Sequence, residues 1–194
     1  MVTRPWITVV TGLPRSGTSM VMQMLAAGGI EPLIDNARPA DTDNPFGYFE
    51  LDAVKRTATD ALWCNGAVGK AVKVIYQLIP TLPERFEYRV IFIRREIRDV
   101  LASQAAMLAR LGRTGAELTN DKLVRIYARQ IRETDAWIET RPQFRVHKID
   151  YEEALASPTS IAMILDRFLG GGLDIHAMSR TVDPTLQHFF YRSI

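Results

Sequence analysis

Cysteine is nearly absent: Cys64 is the one cysteine in 194 residues. A disulfide framework and a cysteine-based zinc site are therefore excluded, and a reducing, cytoplasmic setting is the simpler expectation. Nothing near Cys64 lowers its pKa, so it reads as structural. Histidine is scarce too. His147 falls inside a strand pattern and reads as a core or surface residue, and His176 and His188 belong to no constellation. Charge of one sign is also lacking, since 24 Lys or Arg against 22 Asp or Glu leave a formal net charge of +2. Dedicated nucleic-acid binders carry a large basic excess, so that class is not expected, although a local basic pocket for phosphates remains open. Long apolar runs are missing. Stretches such as Ile7–Val10 and Val90–Ile93 fall far short of the roughly 20 residues that span a bilayer. The N-terminus has neither the charged head nor the apolar core of a signal peptide. No repeat or low-complexity tract interrupts the chain.

What is present is ordinary for a globular protein: 47% apolar and 24% charged residues. The length suits one domain with a core of its own. Trp6–Thr11 is a short, β-branched run expected of a strand buried on both faces. Gly12–Gly17 is turn material, and Thr18–Ala27 is unbranched and methionine-rich, a helix stopped by Gly28 and Gly29. Met20, Met22 and Met24 at helical spacing read as gap-filling core. Ile30–Gly47 reads as a long loop of the functional or mobile kind, and Phe49–Leu62 as a second helix. Lys70–Ile75 and Tyr88–Ile93 are expected strands, Glu96–Leu111 and Asn120–Thr140 helices, and Phe144–Ile149 a strand. Ser157 and Pro158 open a helix that runs to Leu169. Leu173–Ile194 carries no clear pattern. Strands alternating with helices imply an α/β fold, three layers deep, with a mainly parallel central sheet. Ligands of such sheets sit where strands end and helices begin, at the joints after Thr11 and after Ile93.

The first joint reads Gly12-Leu13-Pro14-Arg15-Ser16-Gly17-Thr18-Ser19. Glycines let several N–H groups point at one spot, and the helix N-terminus adds positive potential. Arg15, Thr18 and Ser19 add a cation and two hydroxyls, completing a phosphate cradle. The spacing approaches the G-x4-G-K-[ST] loop of ATP and GTP enzymes, yet Thr18 stands where their lysine acts on the phosphates. After the second joint, Arg95 sits at the strand end and Ser103 two turns into the next helix. A guanidinium fork and a hydroxyl can hold a second phosphate; a solvated helix start built from Arg95, Arg98 and Asp99 is the alternative.

Together these segments resemble the sulfotransferases that use 3′-phosphoadenosine-5′-phosphosulfate (PAPS). Pro14-Arg15-Ser16-Gly17-Thr18-Ser19 is similar to that family's P-[KR]-S-G-T-[ST] loop. Arg95, Asp99, Val100 and Ser103 fall in place on its R-N-P-x-D-V-x-x-S segment, with Glu96 and Ile97 replacing Asn-Pro. Asp43–Glu50 looks like the N-P-x-G-[YF]-[FW]-E segment of bacterial members. Val146–Leu155 and the Phe168-Leu169-Gly170 ending resemble the strand-Y-E-x-L and F-L-G patches. The likeness spans about residues 6 to 170. It implies a single sulfotransferase-like domain over 1–194, with a P-loop NTPase-like fold and 173–194 as a C-terminal extension.

The resemblance further implies in-line transfer of a sulfuryl group from PAPS to an acceptor hydroxyl or amine, with 3′-phosphoadenosine-5′-phosphate (PAP) as product and no metal required. Pro14, Arg15, Ser16, Gly17, Thr18 and Ser19 would form the 5′-phosphate loop, and Arg95 and Ser103 would hold the 3′-phosphate. Tyr151 would lie near the nucleotide. Arg15 would meet charge on the bridging oxygen, Lys73 would reach that oxygen or the substrate, and Glu50 is the first candidate for the base, ahead of Asp41 and Asp43. Phe46, Tyr48, Phe49 and Trp63 would line an acceptor pocket for a small molecule, glycan or lipid, or else anchor the long loop. A P-loop nucleotide kinase or NTPase, and a non-catalytic nucleotide-binding protein of the same fold, are the alternatives.

Overall fold

The computed structural model describes residues 4–35, 41, 47–113, 115 and 118–183. Four runs of β-branched and aromatic residues form its sheet. They are β1 (Ile7–Thr11), β2 (Ala71–Lys73), β3 (Tyr88–Arg94) and β4 (Phe144–Asp150). The order is β2-β1-β3-β4 and all the pairings are parallel. Parallel strands require crossovers, and these cover both faces. The helices are α1 (Thr18–Ala27), α2 (Ile97–Arg110), α3 (Asn120–Glu139), α4 (Tyr151–Ala156), α5 (Pro158–Phe168) and α6 (Ile175–Arg180). The result is the expected three-layer α/β/α arrangement.

Strand side chains alternate between the two faces. Val10, Ile91, Ile93 and Ile149 point to one side, where they meet Val21, Met22, Met24 and Leu25 of α1 and Ile161 and Leu165 of α5. Met22 and Met24 are fully buried, which makes them core. Ile7, Val9, Val90 and Phe144 point to the other side, against Ile138 of α3 and Cys64. Leu13, Phe92 and Val100 pack beside them with Tyr127 and Ile131. Asp135 of α3 ties the strand ends together, accepting from Arg94 of β3 at 2.7 Å and Lys148 of β4 at 2.9 Å.

Two expectations need revision. Phe49–Leu62 is not a helix; 3₁₀ turns at Asp52–Arg56 and Leu62–Gly66 replace it. Side chains compete with the backbone there. Thr57 Oγ1 donates to the Val54 carbonyl, Thr59 Oγ1 donates to that of Arg56, and Asp60 accepts from the Leu62 N–H. The strand expected over Lys70–Ile75 shrinks to Ala71–Lys73, because the chain turns at once into a 3₁₀ segment, Tyr76–Thr81. Beyond Leu169 the chain adds α6, whose Met178 is fully buried and packs so close to Gly28 that a Cβ there would lie 2.7 Å from Met178 Cγ. One further helix, α4, was not read from the pattern. Asp150 caps it, accepting from the Glu152 and Glu153 N–H groups at 3.0 and 3.1 Å.

Adjacent positions of α5 test this packing. Leu165 is fully buried whereas Ile164 is exposed. Urea unfolding of Leu165→Ala is expected to show a loss of about 2–5 kcal/mol, against roughly 0.5 kcal/mol for Ile164→Ala. Equal losses would contradict the placement of α5.

Candidate nucleotide site

The site begins with the pairing of β1 and β3. Thr11 ends β1 level with Phe92, and β3 runs on to Arg94, so the last residues of β3 stand beside the loop that follows β1. Gly12 is pressed onto the neighbouring strand end, where a Cβ would stand 2.6 Å from the Ile93 carbonyl oxygen and 2.5 Å from Ser16 Oγ. The Leu13 carbonyl accepts from the Ser16 N–H at 3.0 Å and closes a turn. Arg15 and Gly17 then take left-handed backbone, φ +74° and +101°. Gly17 is doubly required, because a Cβ there would also lie 2.6 Å from the Tyr151 ring. Gly17 caps α1, and Thr18 and Ser19 form its first turn. The outcome is a concave loop of N–H groups at a helix N-terminus, the arrangement that binds phosphate.

The second joint meets the first. Arg15 Nε donates to Ser103 Oγ at 3.1 Å. Arg95 Nη1 donates to the Arg15 carbonyl at 3.1 Å, and Gln104 Nε2 donates to that of Pro14 at 3.1 Å. Arg95 lies with its guanidinium 4.4 Å above the Tyr151 ring centroid, and its side chain is 3% exposed. A cation removed from water in this way demands compensation, and the ring and one carbonyl provide part of it. Arg95 Nε is buried without a hydrogen-bond partner, and so is Ser16 Oγ. Two orphaned donors flanking a concave loop are what an anionic ligand would satisfy. Glu96 and Ile97, which replace Asn-Pro, keep the helix start intact: Glu96 is the N-cap of α2 and accepts from the Arg98 N–H.

Lys73 enters from the end of β2, where it pairs in register with Val10. Its Nζ donates to Ser19 Oγ at 3.0 Å and to the Tyr48 carbonyl at 2.8 Å. Tyr48 is itself buried, and its hydroxyl donates to the Asp41 carboxylate at 2.7 Å. Thus Arg15, Ser16, Gly17, Thr18, Ser19, Lys73, Arg95, Ser103 and Tyr151 form one connected cluster, and Pro14 joins it through Gln104. Glu50 lies two residues beyond Tyr48, half-buried, with its carbonyl accepting from the Asp35 N–H. Asp43, Phe46 and His188 lie outside the described residues. Phe49 packs on the core beside α1, and Trp63 packs near Cys64 and donates to Thr57 Oγ1 at 3.0 Å, so these two aromatics anchor the connecting segment. Burial pushes the Cys64 thiol up to about 11, which keeps it protonated near neutrality. His147 lies tilted against the Phe168 ring, with 5.5 Å between the centroids. Among the described residues no group of His, Cys, Asp and Glu is arranged to hold a metal ion, and no helix is long and apolar enough to cross a membrane.

Sequence reasoning passed over Gln104, the Tyr48 carbonyl and Glu152. Glu152 belonged to the Y-E-x-L patch. Its Oε1 lies 3.9 Å from Arg95 Nε, a proximity that no sequence spacing announces.

No protein-family model and no curated protein sequence matches the chain. Solved structures do. The sulfotransferase domain from the curacin biosynthetic pathway is 15% identical with a TM-score of 0.57, over 98% of this chain and 92% of that one. The sulfotransferase domain of the Synechococcus PCC 7002 olefin synthase is also 15% identical, with a TM-score of 0.55, over 100% of this chain and 90% of that one. Retinol dehydratase in complex with androsterone and the inactive cofactor PAP is 21% identical with a TM-score of 0.50, over 94% of this chain and 64% of that one. The chain has the α/β fold of the sulfotransferases.

The loop geometry is testable by adding one methyl group. Gly29 also has positive φ, +97°, but faces open space. Gly29→Ala is expected to cost about 1–2 kcal/mol. Gly17→Ala adds overpacking against Tyr151, for a total of roughly 2–5 kcal/mol. Denaturant unfolding showing equal costs would contradict the contact with Tyr151.

Proposed function

We propose that the protein is a PAPS-dependent sulfotransferase that moves a sulfuryl group to an acceptor hydroxyl or amine, the whole chain acting as one catalytic unit. One observation carries the reading: the segments after β1 and β3 are joined by hydrogen bonds through Arg15, Ser103 and Arg95, leaving Ser16 Oγ and Arg95 Nε buried without hydrogen-bond partners. One junction carrying both sets of donors suits a nucleotide phosphorylated at both the 5′ and 3′ positions. The sulfotransferase fold, and the matched lengths of the curacin-pathway and olefin-synthase domains, support it.

Each residue then has a task. Ser16 to Ser19 and their N–H groups hold the 5′-phosphate, with Pro14 shaping the turn. Arg95 and Ser103 hold the 3′-phosphate, which separates PAPS from ATP. Tyr151 backs the Arg95 guanidinium. PAPS supplies the sulfuryl group: its sulfur bonds to the acceptor oxygen or nitrogen as the bond to the bridging phosphate oxygen breaks, releasing PAP. Glu50 receives the acceptor's proton. Arg15 and Lys73 meet the negative charge left on the bridging oxygen; such donors, preorganised in place, are each worth about 3–4 kcal/mol. The Tyr48 carbonyl and Ser19 hydroxyl hold the Lys73 ammonium in position. A Walker-type kinase reading is disfavoured by Thr18, which stands where that chemistry places its lysine. The acceptor would be a small molecule, glycan or lipid bearing an exposed hydroxyl or amine.

Titration calorimetry with PAP and ADP, each with and without Mg²⁺, tests the reading. PAP is expected to bind more tightly than ADP, independently of Mg²⁺. Arg95→Ala should weaken PAP by about 1.5–3 kcal/mol while leaving ADP little changed. Arg15→Ala should lower turnover by roughly 10²–10³-fold. Equal affinity for the two nucleotides, or Mg²⁺-dependent binding of ATP alone, would contradict the proposal.

A further inference from the structure

Arg95 has one committed edge and one uncommitted edge. Nη1 serves the Arg15 carbonyl. The remaining Nε–Nη2 side is the one that engages carboxylates and phosphates in bidentate fashion. Its Nε is buried and has no hydrogen-bond partner. Glu152, in the first turn of α4, stands opposite that edge with Oε1 3.9 Å from Nε, too far for a hydrogen bond and close enough for an ion pair. The two partners differ in freedom. The Arg95 side chain is 3% exposed, wedged between the Arg15 carbonyl and the Tyr151 ring, whereas that of Glu152 is 45% exposed. A phosphate that takes up the Nε edge of Arg95 meets this carboxylate.

We infer that Glu152 is a specificity-determining residue: its carboxylate competes with the ligand's 3′-phosphate for the single buried guanidinium of Arg95, and so sets how strongly that phosphate is held. The inference rests on the proposed function, because it takes Arg95 as the 3′-phosphate ligand. One cation cannot neutralise both anions, so phosphate binding requires the carboxylate to swing into solvent or to take up a proton. Either cost falls on nucleotides that carry a 3′-phosphate and on no others. The consequence is moderated affinity for PAP, which lets the product leave.

Two charged groups face Glu152. Arg95, in the β3–α2 connection, favours its ionised form. Asp150, at the end of β4, opposes it, and its carboxylate is fixed there by capping α4. Burial is the leading influence, and with Asp150 it holds the Glu152 carboxyl above the usual carboxylate range despite Arg95. A carboxyl with a raised pKa is neutral at pH below that value and ionised above it. Competition is therefore full at mildly alkaline pH and fades as pH falls through the Glu152 pKa.

The test is titration calorimetry of wild type and Glu152→Gln with PAP and with ADP. Near pH 8 the substitution is expected to tighten PAP by roughly tenfold, the equivalent of one pKa unit of interaction, and to change ADP by less than about twofold. The wild-type-to-variant ratio for PAP should shrink towards one as pH falls through the raised Glu152 pKa and the wild-type carboxyl takes its proton. A wild type that prefers PAP over ADP by the same margin as the variant would overturn the role of Glu152 while leaving the 3′-phosphate site standing. A preference absent from both proteins would overturn the proposed function and this inference with it. A wild-type preference for PAP that widens in the variant would support the inference. Weaker PAP binding by the variant would also overturn the inference, because Glu152 would then be orienting Arg95 for its ligand.

Discussion

The parallel pairing of β1 with β3 is the constraint on which the rest of the site depends. Because β1 ends at Thr11, level with Phe92, while β3 runs on to Arg94, the loop after β1 lies against the end of β3. Gly12 follows from that contact: any side chain would strike the Ile93 carbonyl. The turn from Leu13 to Ser16 follows from Gly12, and the left-handed Arg15 and Gly17 follow from the need to enter α1 directly. Arg15 is thereby aimed across the strand boundary at Ser103 of α2. A shift of one residue in the β1–β3 register would place each loop's donors on the wrong side of the sheet.

Charge completes what the register begins. Arg95 is nearly sealed from water, and its compensation is incomplete: a carbonyl on one nitrogen, a ring beneath the plane, and a carboxylate held off at 3.9 Å. Truncating such a group differs from never having it, since a buried cation without a partner is costly. The arrangement suits a group kept ready for an anion that arrives and leaves. Lys73 is handled differently, with two close oxygen partners from Ser19 and Tyr48. It is held in place, and a bound phosphate would add to those partners.

Much of this was legible in the residues. Thr18–Ala27 forms the helix its unbranched composition implies, ending at Gly28. The strands flanking both joints, and the loop glycines between Thr11 and Thr18, read correctly because turn chemistry and burial acted on neighbouring residues. Legibility failed where local side chains overrode pattern. The apolar spacing of Phe49–Leu62 resembles a helix, but Thr57, Thr59 and Asp60 bond to nearby backbone and hold the chain in 3₁₀ turns. It failed again where contact depends on tertiary packing. The burial of Met178 against Gly28 and the approach of Glu152 to Arg95 join segments about 150 and 57 residues apart in the chain. Among the candidate residues, Arg15, Ser103 and Lys73 could be singled out by type and position. Their mutual hydrogen bonds became visible only in three dimensions, and the role of Glu50 rests on its place beside Tyr48.

The central claim is that the loops after β1 and β3 form one pocket for a nucleotide phosphorylated at both ends of its ribose. A crystal structure of the protein with PAP tests it most directly. The account predicts the 5′-phosphate within about 3 Å of the Ser16–Ser19 N–H groups and the 3′-phosphate within about 3 Å of Arg95 Nε and Ser103 Oγ. A nucleotide that engages only one loop, or binds away from both, would contradict it.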